Sequence, residues 1–84
     1  MLFSSKENQC LIEVLKILSK GNSKYGTMFK KTKVSHTTLQ RVLKWLLERG
    51  FIIKYDVGHM NVDYEISEKG RRLLDLLIQV VKTT

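Results

Sequence analysis

Polar and basic side chains recur along one side of the segment 35–49. Four of them could contact the base edges of a nucleic acid: His36, Thr37, Gln40 and Arg41. Arginine donates two parallel hydrogen bonds to guanine, glutamine can pair with adenine, and a threonine hydroxyl suits either kind of contact. His36 and Thr37 fall in the first turn, the part of a groove-bound helix that reaches bases. The types and spacing of these residues therefore predict that the segment 35–49 contacts the base edges of a nucleic acid.

Lysines in and around the same segment favour a second kind of contact. A lysine carries a point charge on a flexible stem, which suits a phosphate oxygen. The predicted phosphate contacts are Lys24, Lys30, Lys31, Lys33, Lys44 and Lys54. Between Glu13 and Glu48 the chain has eight basic residues and no acid, and phosphates would repel any carboxylate placed there. With a net charge of +7, this segregation predicts a polyanionic partner, most simply double-stranded DNA.

The residues that would touch DNA need a scaffold, and the apolar pattern indicates a small helical one. Apolar residues at helical spacing predict helices over 4–20, 25–31, 35–49 and 67–82. Alternating residues predict a hairpin over 51–66. In the third helix, Ser35 is a good N-cap, and the leucines and valines face away from the polar side. A single domain over 1–84 is expected, mainly α with a small β-hairpin. Its element order is that of a winged helix-turn-helix with a C-terminal dimerisation helix.

Alternation along both strands also predicts how the hairpin pairs. Phe51, Ile53 and Tyr55 are expected to share one face with Val62, Tyr64 and Ile66, which places Lys54 opposite Asp63. The tip, 56–61, has no lysine or arginine, although these are the side chains that usually enter a narrow minor groove. Lys54 and His59 are the remaining candidates, so the pattern leaves open whether this wing touches DNA.

The last helix has apolar residues around more than half of its circumference. Leu73, Leu76, Leu77 and Val80 are assigned to the core, which leaves Leu74, Ile78 and Val81 as an exposed stripe. Such a stripe usually marks an interface, and Ile12 of the first helix could extend it. An antiparallel homodimer is predicted, with recognition helices about 34 Å apart on a palindromic site. The alternative is a monomer whose last helix is more deeply buried.

Several other classes of function lack the residues that they need. Cys10 lies on an apolar helix face, and one cysteine with two distant histidines does not make a zinc site. There is no glycine-rich phosphate loop, and no apolar run reaches the ~18 residues of a bilayer span. We expect no enzyme activity, no metal or cofactor, no small-molecule ligand and no membrane. An intracellular, cytoplasmic location is expected.

Two runs of sequence resemble a known family. KWLLERGFI and YEISEKGRRLL are similar to the hallmark run of small archaeal winged helix-turn-helix regulators, which also occur in viruses of those hosts. The matching positions are Leu46, Leu47, Gly50, Phe51, Ile52, Tyr64, Ile66, Ser67 and Gly70. The resemblance implies a DNA-binding homodimer whose last helices form an antiparallel coiled coil. It places the recognition role on His36, Thr37, Gln40, Arg41 and Lys44. The uncharged wing tip and the short last helix depart from the family pattern.

Three functions agree with this sequence. The first is a sequence-specific transcriptional regulator that reads a palindrome through the major groove. The second is a non-specific, chromatin-like DNA-binding protein, which would lack a preferred site and would bind with a steep salt dependence. The third is a protein-interaction module of a transcription assembly, because a winged helix alone does not dictate DNA binding.

Overall fold

The computed structural model describes residues 4–56 and 62–83. Its elements are α1 (Ser5–Ser19), β1 (Ser23–Lys24), α2 (Tyr25–Thr32), α3 (His36–Glu48), β2 (Ile52–Asp56), β3 (Val62–Ile66) and α4 (Glu68–Thr83). The predicted fold class is confirmed: four helices pack together with a small three-stranded antiparallel sheet. Strand β1 was not predicted. It has two residues and thus no period, and it is defined only by its pairing of Ser23 with Tyr64 and of Lys24 with Asp63. The sheet order is β1-β3-β2.

Helix α1 lies at the centre of the core. It starts at a capping box, in which the Ser4 hydroxyl accepts the Glu7 backbone N–H and the Glu7 carboxylate accepts the Ser4 backbone N–H. Both contacts satisfy backbone donors that the first turn of a helix leaves unpaired. The inward side of α1 is buried against the other three helices and the sheet, at Cys10, Leu11, Val14, Leu15 and Leu18. None of the helices in the described ranges is long and apolar enough to cross a bilayer.

The hairpin pairs one residue out of the predicted register. Ile52 lies opposite Ile66, and Lys54 lies opposite Tyr64. Ile52 is therefore buried, whereas Ile53 points outward. The predicted face of Phe51, Ile53 and Tyr55, and the pairing of Lys54 with Asp63, are wrong because a slip of one residue exchanges the two faces of a strand.

The register follows from the way in which α3 ends. Gly50 adopts a left-handed φ of 74°, and its N–H donates to the Leu47 carbonyl. The N–H of Phe51 donates to the Leu46 carbonyl at 2.9 Å, which completes the two hydrogen bonds of a Schellman motif. Because the helix end uses the Phe51 N–H, the strand begins at Ile52.

The end of α3 and the start of α4 meet at a cluster of backbone groups, which we call the α3–α4 junction (Gly50, Phe51, Ser67 and Gly70). Ser67 Oγ lies 2.6 Å from the Gly50 carbonyl oxygen and 2.9 Å from that of Phe51. It also accepts the Gly70 N–H at 3.0 Å, as an N-cap does. Ser67 N–H donates to the Phe51 carbonyl at 3.0 Å. One serine thus caps α4 and anchors it to the turn that ends α3.

The inward face of α4 differs from the predicted one. Leu74 is 6% exposed and belongs to the core, whereas Leu76 and Val80 are 59% and 60% exposed. Leu74 therefore does not lie on an outer stripe, and Leu76 and Val80 do not face the core. The reason is Gly70, which packs against Phe51 and Ile66 and so fixes the inward side of α4. Leu74 follows on that side one turn later.

Candidate nucleic-acid interface

The third helix presents a polar surface because its opposite side is locked in the core. Leu39, Val42, Leu43 and Leu46 are buried on the inward side. Ser35 Oγ accepts the Thr38 N–H at 3.2 Å and so begins the helix where the sequence predicts. The predicted base-contacting residues and one predicted phosphate contact are all exposed: His36, Thr37, Gln40, Arg41 and Lys44. The helix is therefore oriented as a recognition helix requires.

A lysine in an unusual conformation makes the turn between α2 and α3. Lys33 has φ 56° and ψ 33°, the left-handed region that glycine occupies at much lower cost. Its N–H donates to the Phe29 carbonyl at 3.3 Å, which ends α2. Thr32 Oγ1 donates to the Met28 carbonyl at 2.8 Å in the last turn of α2. Lys33 thus has a costly backbone conformation and lies just before the start of α3.

The variant Lys33→Gly should be more stable than the wild type. Glycine removes the left-handed penalty but has more freedom in the unfolded chain, so the net gain should be about 0.5 to 1 kcal/mol. Chemical denaturation would measure it. Lys31→Gly is the matched control, because Lys31 is helical and the same change there should cost about 1 kcal/mol. A loss of stability in Lys33→Gly would contradict the conformation of the turn.

An aromatic stack joins the first turn of α3 to α2. The rings of His36 and Phe29 lie nearly parallel with centroids 3.7 Å apart, and His36 Nδ1 is 2.8 Å from the Tyr25 hydroxyl. Gln40 lines the same groove as Tyr25, whose pKa is raised by burial and lowered in part by the Gln40 side chain. Sequence reasoning missed these contacts. Two of the four predicted base-contacting residues thus share a partner on α2.

Arg41 has a partner on a different helix. Its Nε lies 3.4 Å from Glu7 Oε2, at the start of α1. The side chain of Arg41 remains 64% exposed, whereas that of Glu7 is 14% exposed. Exposed ion pairs contribute little stability. No local signal in the sequence joins residues 34 positions apart, and the contact was not predicted.

The predicted phosphate contacts are exposed but do not form one patch. Lys44 and Lys54 line a groove of about 540 Å³ between α3 and the sheet, with Tyr25 and Tyr64 among its other lining residues. Lys24 and Lys31 line a separate depression of about 420 Å³, beside the end of α1. Lys30 and Lys33 are exposed on α2 and in the turn. The basic surface therefore extends from α3 both toward the hairpin and along α2.

The far end of α3 is held by alternating aromatic and basic side chains. The Arg49 guanidinium lies 4.4 Å from the ring centre of Trp45, and Trp45 stacks on Phe51 at 5.6 Å. Lys69 lies over Phe51 and donates to the Arg49 carbonyl at 2.8 Å. Cation–π contacts of this kind contribute about 0.5 to 1 kcal/mol each at exposed sites. These contacts join the end of α3 to Phe51 and to Lys69 of α4.

The groups that could support other chemistry are either buried or dispersed. Cys10 is 1% exposed, and burial raises the pKa of its thiol to about 11, so it is not a nucleophile at neutral pH. Among residues 4–56 and 62–83, no three His, Cys, Asp or Glu side chains come together as metal ligands would. Of the predicted wing tip, Asp56 ends β2, and residues 57–61, which include His59, lie outside the described residues.

A helix-turn-helix followed by a small antiparallel sheet and a packed last helix defines a winged helix-turn-helix domain. The chain belongs to the winged helix-turn-helix family, whose model matches residues 6–84. That much of the resemblance drawn from the sequence motifs is confirmed, and an archaeal or viral host stays a prediction. No curated protein matches this sequence.

Solved structures share the fold over nearly the whole chain. Streptococcus mutans smu.1704 is 21% identical with a TM-score of 0.85, covering 99% of this chain and 85% of that protein. A transcriptional regulator from Clostridium thermocellum is 19% identical with a TM-score of 0.82, covering 98% and 90%. Lactococcus lactis ZitR in complex with DNA is 19% identical with a TM-score of 0.73, covering 98% of this chain and 55% of ZitR. At these identities the likeness concerns the fold.

Proposed function

We propose that this protein is a transcriptional regulator that binds double-stranded DNA in a sequence-specific manner by placing α3 in the major groove. The observation that carries the proposal is the exposed side of α3, which presents Thr37, Arg41 and Lys44 and has no acid before Glu48. The same fold in ZitR has been solved with DNA bound. Base-edge contacts by the first half of α3 would supply specificity, and the surrounding lysines would supply affinity.

The groove beside α3 supports this placement. Lys44 and Lys54 line its two sides, one from the helix and one from β2. A helix in the major groove is flanked by phosphates, so a groove with a lysine on each side suits one DNA strand. Contacts of this type release counterions, and about eight of them in a dimer would give a slope of log affinity against log salt near −7.

Selection from random double-stranded DNA tests the proposal most directly. A specific regulator should enrich one motif, and binding to that motif should exceed binding to scrambled DNA by about 10³-fold or more. Equal binding to all sequences with a steep salt slope would favour the chromatin-like alternative. Absence of binding to any DNA at low salt would favour the protein-interaction module.

We further propose that the regulator is a homodimer and reads a palindromic site. The exposed apolar residues Leu76 and Val80 lie four positions apart on one side of α4, where a second copy could cover them. Ile78 and Ile12 are partly buried against the core of their own domain, so they would lie at the edge of the dimer interface. Val81, also predicted at the interface, has its side chain outside the described part of the chain.

Introducing a charge at Leu76 should weaken the dimer without unfolding the domain. Leu76→Glu would bury a carboxylate in the proposed interface, so the dimer dissociation constant should rise about tenfold or more. Sedimentation equilibrium would measure it. Ile53→Glu is the matched control, because Ile53 is also an exposed large apolar residue but lies on the hairpin. Equal association of wild type and Leu76→Glu would place any interface elsewhere.

A further inference from the structure

We infer that Glu7 is a positioning residue for DNA reading: it holds Arg41 of α3 in the orientation in which the arginine can contact a guanine. The inference rests on the proposed function and adds to it a residue of α1 that would not itself touch DNA. Three features of the structure carry it: the anchoring of Glu7, the edge of Arg41 that Glu7 occupies, and the exposure of the rest of Arg41.

Glu7 is a fixed anchor because its own position is determined by α1. Its Oε1 accepts the Ser4 N–H at 3.0 Å, and its backbone N–H donates to Ser4 Oγ at 3.2 Å. The bond from the Ser4 backbone N–H is the main cause that lowers the pKa of the Glu7 carboxyl, so the carboxyl is ionised at neutral pH. The second oxygen, Oε2, is the one that faces Arg41. One carboxylate oxygen therefore caps α1, and the other pairs with Arg41 of α3.

The geometry leaves the reading edge of Arg41 available. Glu7 contacts Nε, and a guanidinium has two further nitrogens with four N–H donors beyond it. The side chain of Arg41 is 64% exposed, so those nitrogens can reach solvent or a ligand. Two parallel N–H donors are what guanine O6 and N7 require. A carboxylate on the Nε side reduces the rotamer freedom that Arg41 would otherwise lose on binding.

His36 and Gln40, two predicted base-contacting residues on the opposite side of α3, also have a neighbour on another helix. The Tyr25 hydroxyl on α2 lies 2.8 Å from His36 Nδ1, and Tyr25 lines the same groove as Gln40. The outward side of α3 is thus bordered by Tyr25 on one side and by Glu7 on the other. Thr37 lies in sequence between His36 and Arg41 and is exposed. Orientation from neighbouring helices therefore affects most of the candidate reading residues.

The variant Glu7→Gln separates orientation from folding. Glutamine also completes a capping box, so α1 should keep its start while Arg41 loses a charged partner. Removing a negative charge near phosphates should maintain or raise binding to random DNA. Binding to the selected site should lose part of the guanine contact, so the ratio of specific to random binding should fall about five- to tenfold. A ratio that is unchanged or increased would overturn the inference, and an increase would mean that Glu7 withholds Arg41 from DNA.

Two further measurements keep this inference distinct from the proposed function. In the DNA-free protein, the Arg41 Nε NMR signal should shift in Glu7→Gln, because a charged neighbour at 3.4 Å is removed; an equal signal in both proteins would overturn the contact. In an Arg41→Gln background, Glu7→Gln should leave the binding ratio unchanged, whereas a further loss would show that Glu7 acts without Arg41. If the wild type selects no site but the NMR result holds, the proposed function fails and the orienting contact stands.

Glu68→Gln is the matched charge control. Glu68 pairs with Arg72 at 2.9 Å on α4, and both side chains are strongly exposed. This variant removes the same charge and also breaks an ion pair, but on α4 and without a contact to Arg41. It should leave the ratio of specific to random binding unchanged. An equal fall in Glu68→Gln and Glu7→Gln would mean that net charge, rather than the orientation of Arg41, produces the effect.

Discussion

Gly70→Ala should lower the free energy of unfolding by about 3 kcal/mol, because a well-packed site would have to move to admit one methyl group. A Cβ at residue 70 would overlap the Phe51 carbonyl oxygen and would lie 2.8 Å from Cγ1 of Ile66. The overlapping atom belongs to the backbone of the turn that ends α3, which no change of rotamer can relieve. For a domain of this size, thermal unfolding should shift downward by about 15 °C.

Gly26→Ala provides the matched control for that result. Gly26 is exposed in α2, and a Cβ built on it meets no atom within 4 Å. Alanine is the better helix former, so the same substitution there should raise stability by about 0.5 to 1 kcal/mol. Calorimetry on both variants would show whether the free energy of unfolding falls in Gly70→Ala and rises in Gly26→Ala. If Gly70→Ala were as stable as the wild type, the close approach of α4 to Phe51 would be refuted.

Lys44→Glu should nearly abolish DNA binding. Each phosphate contact is worth roughly tenfold in affinity at about 0.1 M salt, and a dimer would lose two contacts and gain two repulsions. The lost contacts alone should lower affinity about 100-fold and the repulsions should lower it further, with a salt slope reduced by about two units per dimer. Lys44 is exposed on α3, so the fold should not change. Fluorescence anisotropy over a range of salt concentrations would measure both quantities.

The control for Lys44→Glu is Arg72→Glu, which alters the net charge by the same amount on α4. The Arg72 side chain is 73% exposed and pairs only weakly in water with Glu68, so stability should scarcely change. Affinity should fall by much less than in Lys44→Glu. Equal losses in the two variants would mean that binding follows total charge and would argue against α3 as the reading element.

Local signals in the sequence were enough to define α3. Its cap at Ser35 and its row of buried leucines and valines depend on neighbours within the same helix, and both occur where the pattern predicts. Helix α4 shows the limit of such signals. Apolar residues cover so much of its circumference that several rotations agree with the pattern, and the choice among them depends on the contact of Gly70 with Phe51.

The hairpin register and the contacts of the candidate site could not be obtained from local patterns. The register depends on whether the Phe51 N–H belongs to the helix end or to a strand, and the structure assigns it to Leu46. His36 and Arg41 were recognised as exposed polar residues of α3. Their partners, Tyr25 and Glu7, lie on other helices, so only the packing of those helices brings them together.

The α3–α4 junction has a consequence for the length of DNA that a pair of these domains could address. Ser67 bonds the carbonyl groups of Gly50 and Phe51, so the direction of α4 is set directly by the end of α3. In the proposed homodimer, α4 would determine where the second copy sits and hence how many base pairs separate the two half-sites. Ser67→Ala, which removes the hydroxyl that bonds both carbonyl groups, should therefore broaden the range of half-site separations that the pair accepts while leaving the bases read within each half unchanged.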